Sequence, residues 1–306
     1  AFTGNGFDWE LELTQDGINT RLTADEFEYD PISVQDIEGG QQFTVRWKHP
    51  HFAVTGNFTL RGSRLESQLA VEVLEEQGIL QRITFPIWRL HKMPGKNTAV
   101  LPLFSGVEFA NPTDNLSQSA IWPNGHSSMQ FAALYNDEGQ GVYLGREDAS
   151  GETKEQTFTG CGGILEALWK VGVARGQTKI ELPGKAVLEF YQGNWFEAGQ
   201  IYKRFAATTP WWVAEIPRKG TPQWFMENPM WICGIPIDTG LPTYRWCQEY
   251  FETPVTIIAG LLLTKHGNWR YGPEYVVKDF ALPSLKQMQE EGIRVFTYFN
   301  GRLCFA

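Results

Sequence analysis

Apolar residues recur with a period of two from Phe7 to Gly193. The stretch Phe7-Asp8-Trp9-Glu10-Leu11-Glu12-Leu13 alternates apolar and acidic side chains, as a half-buried strand requires. Phe43 to Trp47, Leu69 to Leu74, Ile83 to Leu90, Ser128 to Tyr135, Gly141 to Gly145, Ile164 to Val173 and Ala186 to Tyr191 read the same way, with turn residues between them. Leu134 to Leu144 reads as a hairpin around Asn136-Asp137-Glu138-Gly139. With no helical pattern between these segments, the expectation for residues 1–193 is a pair of packed antiparallel sheets.

At Asn194 the period becomes helical. Trp195, Ala198, Ile201, Tyr202 and Phe205 fall on one stripe, and Asn194 with Glu197 three residues on can form a capping box. The stretch from Pro210 through Pro217, Pro222 and Pro229 is too rich in proline to sustain a helix, so residues 194–228 read as a connector helix and linker. Beyond it, buried strand and amphipathic helix alternate. Strand Trp231 to Ile235 precedes a helix from Thr243 to Glu252, with Pro242 before it. Strand Val255 to Leu263, apolar on both faces, precedes a helix bounded by Pro283 and Gly292, and strand Ile293 to Phe299 follows. Residues 229–306 thus read as the first three βα units of a TIM-type (β/α)8 barrel. A whole barrel takes about 250 residues, and 78 of the 306 remain from Pro229, so the barrel is not expected to close within this chain.

Composition narrows the class. Gly and Pro together, 31 and 17 residues, suit a chain of many turns. Lys and Arg number 26 against 35 Asp and Glu, a net charge of −9 with no long basic cluster, which argues against a nucleic-acid partner. The longest apolar run, Val255 to Leu263, is too short to span a bilayer. Cys161, Cys233, Cys247 and Cys304 lack metal-ligand spacing and are expected as buried free thiols. Ala1 follows no leader pattern and is read as a processed terminus or the start of an expressed portion. Asn57-Phe58-Thr59 and Asn115-Leu116-Ser117 match the glycosylation acceptor pattern, which matters only in a eukaryotic secretory setting. No P-loop, H-E-x-x-H, G-x-S-x-G or dinucleotide fingerprint is present, and nothing calls for a cofactor.

Barrel sites are built by loops at the carboxyl ends of strands. Those loops hold Pro236 to Asp238, Lys265 to Tyr271 and Asn300 to Arg302. The second packs His266, Trp269 and Tyr271 among other polar groups, and this combination suits a sugar: ring faces stack on aromatics while hydroxyls need convergent polar partners. The competing reading has Trp269 and Tyr271 packing over the sandwich and His266 capping a backbone group. Asn300 and Arg302 are candidate sugar contacts, or simply the polar residues by which a strand reaches solvent. Asp238, beside Thr239-Gly240, is either a ligand or a turn former. In the first domain His126 and Glu189 invite comparison with an epimerase acid–base pair, although a glutamate alternating with apolar residues is ordinarily the solvated side of a strand. Asp8, Glu10 and Glu12 read as such an outer face.

The sandwich pattern, the helix Gly193-Asn-Trp-Phe-Glu-Ala-Gly-Gln-Ile-Tyr-Lys-Arg-Phe205 with Thr209-Pro-Trp-Trp212 after it, and the ending Tyr298-Phe-Asn-Gly-Arg302 carry a resemblance that covers essentially the whole chain. It resembles large bacterial glycoside hydrolases with an N-terminal galactose-mutarotase-like supersandwich and a (β/α)8 catalytic barrel, similar in plan to endo-α-N-acetylgalactosaminidases. The resemblance implies hydrolysis of an oligosaccharide, polysaccharide or glycoconjugate by two carboxylates standing after the fourth and later strands, beyond this chain, which would itself supply substrate-orienting groups. It also implies a carbohydrate substrate, an extracellular or periplasmic setting, and a remaining barrel portion or another chain to cover the open sheet. A noncatalytic carbohydrate-binding or interaction protein and a mutarotase-type sugar epimerase are the alternatives.

Overall fold

The computed structural model describes residues 8–75, 78–123, 126–215, 218–233, 239–259 and 279–297. Its first half is made of β1 (Glu10–Gln15), β2 (Ile18–Thr23), β3 (Glu28–Tyr29), β4 (Ser33–Ile37), β5 (Gly40–Lys48), β6 (Phe52–Arg61), β7 (Arg64–Val73), β8 (Ile79–His91), β9 (Asn97–Leu101) and β10 (Val107–Ala110). Then follow β11 (Asn115–Trp122), β12 (Phe131–Asn136), β13 (Gln140–Glu147), β14 (Lys154–Cys161), β15 (Ile164–Gly172), β16 (Lys179–Glu181) and β17 (Lys185–Gln192), with α1 (Trp195–Ala206) closing the series. Among the described residues these strands form two antiparallel sheets. The smaller runs β11-β14-β15-β8-β1-β2; the larger runs β10-β9-β12-β13-β17-β7-β6-β5-β3, with β4 paired to β5 and β16 to β7.

The sheets form a sandwich because each offers an apolar face. Trp9, Leu11, Ile83, Phe85 and Leu165 from the smaller sheet meet Val54, Phe58, Leu69, Leu134 and Leu188 from the larger in one buried core. The predicted hairpin is there, with Leu134 opposite Val142. Gly160 of β14 shows how close the packing is: a Cβ on it would stand 1.6 Å from the Pro112 carbonyl oxygen.

Helix α1 covers the outer face of the larger sheet. Asn194 Oδ1 accepts from Phe196 N at 2.8 Å while Asn194 N donates to Glu197 at 2.9 Å, the predicted capping box. Ala198, Ile201, Tyr202 and Ala206 then bury against Val100, Phe131, Ala133, Tyr135, Tyr143 and Val187. The compact units accordingly run from Ala1 to Trp212 and from Val213 to Ala306, which puts the helix with the sandwich.

The second unit contains α2 (Gln223–Met226), β18 (Met230–Cys233), α3 (Leu241–Phe251), β19 (Val255–Ala259), α4 (Leu282–Glu290) and β20 (Arg294–Thr297). Among the described residues of the proline-rich linker, the single turn α2 is the helix present. The three strands form a parallel sheet in the order β18-β19-β20. Pro242 and Pro283 sit in the first turns of α3 and α4, and Gly292, at φ +73°, ends α4 as the sequence suggests. Arg245 Nε donates to Glu291 at 2.6 Å, tying the two helices together.

One expectation needs correction. Cys161, the last residue of β14, and Cys233 are exposed, and only Cys247 of the described cysteines is buried. Strand β14 also inverts the usual pattern, with Lys154 and Gln156 inward. Lys154 Nζ, fully buried, donates to Asp148 at 2.6 Å and to Gln130 at 3.3 Å, and stands 4.5 Å over the Trp122 ring. Beside them Arg146 is wholly buried; its Nε donates to the Pro183 carbonyl at 2.9 Å, and burial pushes its guanidinium down to about 10.

This buried group makes stability pH-dependent. Burial alone would raise the Asp148 carboxyl, but hydrogen bonds from Lys154 and Ser150 outweigh it and hold it below the ordinary carboxylate range. Its contribution is therefore present above the unfolded value of about 3.9 and is lost as pH falls through the lower folded value. Asp148→Asn, which leaves Lys154 buried without its counter-charge, should cost about 3–5 kcal/mol at pH 7. In urea unfolding the gap between the variant and the parent should hold from pH 8 to 5 and narrow below pH 4; a gap independent of pH would show that the pair contributes no linkage.

Candidate functional site

The parallel sheet defines an edge. Cys233 pairs with Ile258 and Ala259 with Thr297, so β18, β19 and β20 run in one direction side by side up to the last described residue of each. Asp238, His266, Trp269, Tyr271, Asn300 and Arg302 belong to the segments that follow these ends in sequence, and all six lie outside the described residues.

The sheet beneath that edge has two unlike faces. Met230, Ile232, Val255, Ile257, Ile293 and Val295 join Leu241, Tyr244, Ala281 and Met288 of the helical layer in one core. The opposite face carries Trp231, Thr256, Ile258, Arg294 and Phe296. Within this unit α2 shields part of it: Phe225 lies 5.1 Å and Trp224 6.4 Å from Trp231, centroid to centroid, and Arg294 stands 5.2 Å over Trp224. Trp231 also touches Phe296 at 6.1 Å, yet Phe296 keeps 52% of its surface exposed. Thr256 is buried, and its Oγ1 has no partner among the described residues. This face thus combines rings packed tilted or edge-on, a buried hydroxyl and one guanidinium. Sequence reading took Trp231 only as part of a strand; the signal for its packing was Trp224-Phe225, seven and six residues upstream.

In the sandwich the acids around Arg64 are structural. Arg64 donates to Glu66 (2.9 Å), Glu147 (2.7 Å) and Glu189 (2.9 Å), Arg204 of α1 donates to Glu189 (2.8 Å), and Lys185 donates to Glu66 (2.7 Å). Burial lowers the Arg64 guanidinium, and three carboxylates around it more than reverse that, so it stays charged. Desolvation likewise raises Glu66, and Lys185 with Arg64 brings it below its ordinary value. Glu189 was expected on the solvated side of its strand. Its side chain is 13% exposed, because α1 lies over β17 and brings Arg204 onto it. Both of its oxygens are taken by guanidiniums. His126 is exposed, its ring 4.9 Å from Phe104, and makes no hydrogen bond with Glu189. The pair that invited an epimerase comparison is therefore not assembled. Glu10 and Glu12 face outward beside Arg21 and Arg82 as expected, while Asp8 pairs with Arg89.

Cavities open in the sandwich unit, two of which bear on the site. One, of about 760 Å³, lies between β1, β5 and β8 and is lined by Trp9, Trp47, Asp8, Asp25, Tyr29 and Arg89 among others. The second, of about 430 Å³, is walled by Trp122, Met129, Tyr202, Trp211 and Trp212. No group of three or more His, Cys, Asp or Glu among the described residues could hold a metal ion.

Residues 180–305 match a family described as a domain of unknown function, DUF6259. Comparison with curated proteins found no match. Among solved structures the chain is similar to the α-N-acetylgalactosaminidase NagBb from Bifidobacterium bifidum. With the GalNAc complex of that protein it shares 10% identity over 99% of this chain and 57% of the other, at a TM-score of 0.63. For the Gal-NHAc-DNJ complex the values are 9%, 96%, 53% and 0.64. Identity this low shows a shared fold, an antiparallel sandwich leading into further structure, and the chain spans a little over half the length of the proteins it matches.

The charge network separates two roles for Glu189. If it is structural, Glu189→Gln should destabilise the chain by about 1.5–3 kcal/mol in urea unfolding, since charge-assisted bonds from Arg64 and Arg204 are lost together. An epimerase base would behave otherwise: stability would hold and mutarotation of an aldose, followed by polarimetry, would vanish.

Proposed function

We propose that the chain is the N-terminal portion of a glycoside hydrolase. The observation that carries this reading is the order of its parts: an antiparallel sandwich with its own covering helix, then three parallel strands with helices on one face, a succession that the fold of NagBb matches over nearly the whole chain. The three βα units are the opening of a (β/α)8 barrel, with Trp231, Thr256 and Phe296 turned toward its interior.

In such an enzyme two carboxylates cleave the glycosidic bond, one protonating the leaving oxygen and the other acting as nucleophile or as base toward water, through an oxocarbenium-like transition state. They belong to strands after β20 in a longer polypeptide. The residues of this chain orient the sugar. Asp238, His266, Trp269, Tyr271, Asn300 and Arg302 stand in segments leaving one edge of neighbouring parallel strands, so they can converge on one ligand. Trp269 offers a stacking face, Asn300 a hydrogen bond to a hydroxyl, and Arg302 a donor to a hydroxyl or a neighbouring carboxylate. NagBb acts on α-N-acetylgalactosaminides, so the terminal α-linked N-acetylgalactosamine of a glycoconjugate is the first substrate to test.

The test expresses the complete coding sequence beside residues 1–306 and measures release of p-nitrophenol from aryl glycosides, the α-N-acetylgalactosaminide first. The longer protein should hydrolyse at least one of them, and residues 1–306 none. Asn300→Ala and Trp269→Ala in the longer protein should each lower kcat/KM by about 2- to 10-fold or more without changing Tm. A complete protein that binds glycans and hydrolyses none would favour the carbohydrate-binding alternative, and full activity in both variants would remove these residues from the site.

A further inference from the structure

The larger sandwich cavity has the makings of a ligand site. It measures about 760 Å³, within the range of small-molecule sites. Its floor is a cluster of rings: Trp9 meets Phe27 at 4.7 Å and Trp47 at 5.7 Å, both edge to face. Its rim is polar, with Asp8, Glu10, Thr23, Asp25 and Arg89. Two features remain unexplained by packing. Trp9 is 1% exposed and lines the cavity, yet its indole Nε1 has no acceptor among the described residues. Tyr29, also lining it, leaves 67% of its surface in solvent beside Ile32 at 48%. A buried N–H without an acceptor is costly, and a large exposed ring beside a cavity is a ready stacking surface.

We infer that this cavity binds a neutral oligosaccharide, with Tyr29 stacking on one sugar ring, Asp25 and Glu10 accepting from hydroxyls, and the Trp9 indole donating to a hydroxyl or acetamido oxygen. The charge balance sets the class. Arg89 donates to both Asp8 and Glu166 and Arg21 pairs with Glu10, so both cations are already matched, and with Asp25 the four carboxylates outnumber them and leave the rim acidic. Sulfated glycans and those bearing uronic or sialic acids are repelled, whereas carboxylates are good acceptors for hydroxyls. The choice of a sugar over another polar neutral ligand rests on the carbohydrate reading above. The site itself lies wholly within the sandwich.

The test probes residues 1–306 with an array of neutral and acidic oligosaccharides and titrates the strongest neutral binder by isothermal calorimetry. Neutral glycans should bind and their sulfated or sialylated counterparts should not. Tyr29→Ala and Asp25→Ala, both at exposed positions, should each weaken affinity about threefold to tenfold with Tm unchanged, while Trp211→Ala at the smaller cavity should leave it unaltered. Trp9→Phe keeps the ring cluster and removes only the indole donor, so it should weaken binding as well. No neutral glycan binding, equal binding by Tyr29→Ala and Asp25→Ala, or loss through Trp211→Ala would each overturn the inference. The outcomes separate it from the glycosidase reading: glycan binding in this cavity with no hydrolysis by the complete protein sinks that reading alone, and hydrolysis with no binding by residues 1–306 sinks this one alone.

Discussion

Every residue of β12 is buried, because one of its faces meets the inter-sheet core and the other lies under α1. A strand in that position cannot alternate with water, so the sheet around it needs cover on both sides. The rest of the sandwich follows from this need. Phe131, Ala133 and Tyr135 require the apolar stripe of α1, and the stripe is set in place by the capping box at Asn194 and Glu197. The helix brings Arg204 with it, and Arg204 turns Glu189 from a surface acid into one corner of a partly buried ion network. Burial of apolar area thus comes first, and the charges are arranged by it.

The period of two was legible wherever one face of a strand met solvent, as in β1, whose Leu11 and Leu13 point inward and whose Glu10 and Glu12 do not. It was hidden where polar residues face the core. Strand β14 turns Lys154 and Gln156 inward, and these make sense only once Asp148, at the end of β13, is known to stand opposite. Strand β6 keeps a regular alternation, but Gly56 interrupts the run of side chains. It is small because the Phe58 and Trp47 rings occupy the space where its Cβ would be, within 3 Å. Such pairings are long-range, and a single sequence does not display them. The parallel strands were easier to read, since Val255 to Ala259 is apolar without interruption and the helices beside it carry proline at their first turns.

For the candidate site, sequence reading named six residues that follow the parallel strands and lie outside the described residues, and it passed over the surroundings that are described. The candidates at 238, 266, 269, 271, 300 and 302 were chosen because a strand-to-loop junction exposes side chains at one end of a sheet. That end is the carboxyl side of β18, β19 and β20, which run parallel in register. The rings that lie against the sheet face, Trp224, Phe225 and Trp231, were passed over as linker and strand because their meaning depends on a fold-back of a single turn. In the sandwich the acidic positions of β1 were read as a solvated face, and one of them, Asp8, proves to hold Arg89 at the rim of a cavity.

The seating of α1 on the larger sheet bears on how this protein can be dissected. The change of sequence period at Gly193 marks an inviting place to divide the polypeptide, but a piece cut there would carry the bare outer surface of β9, β12, β13 and β17, with Phe131 and Tyr135 in water and Glu189 stripped of one guanidinium. Such a piece would self-associate through that surface. The smallest portable module is the sandwich together with its helix, ending near Trp212; shuffling of this sandwich between longer proteins would have to move the helix with it.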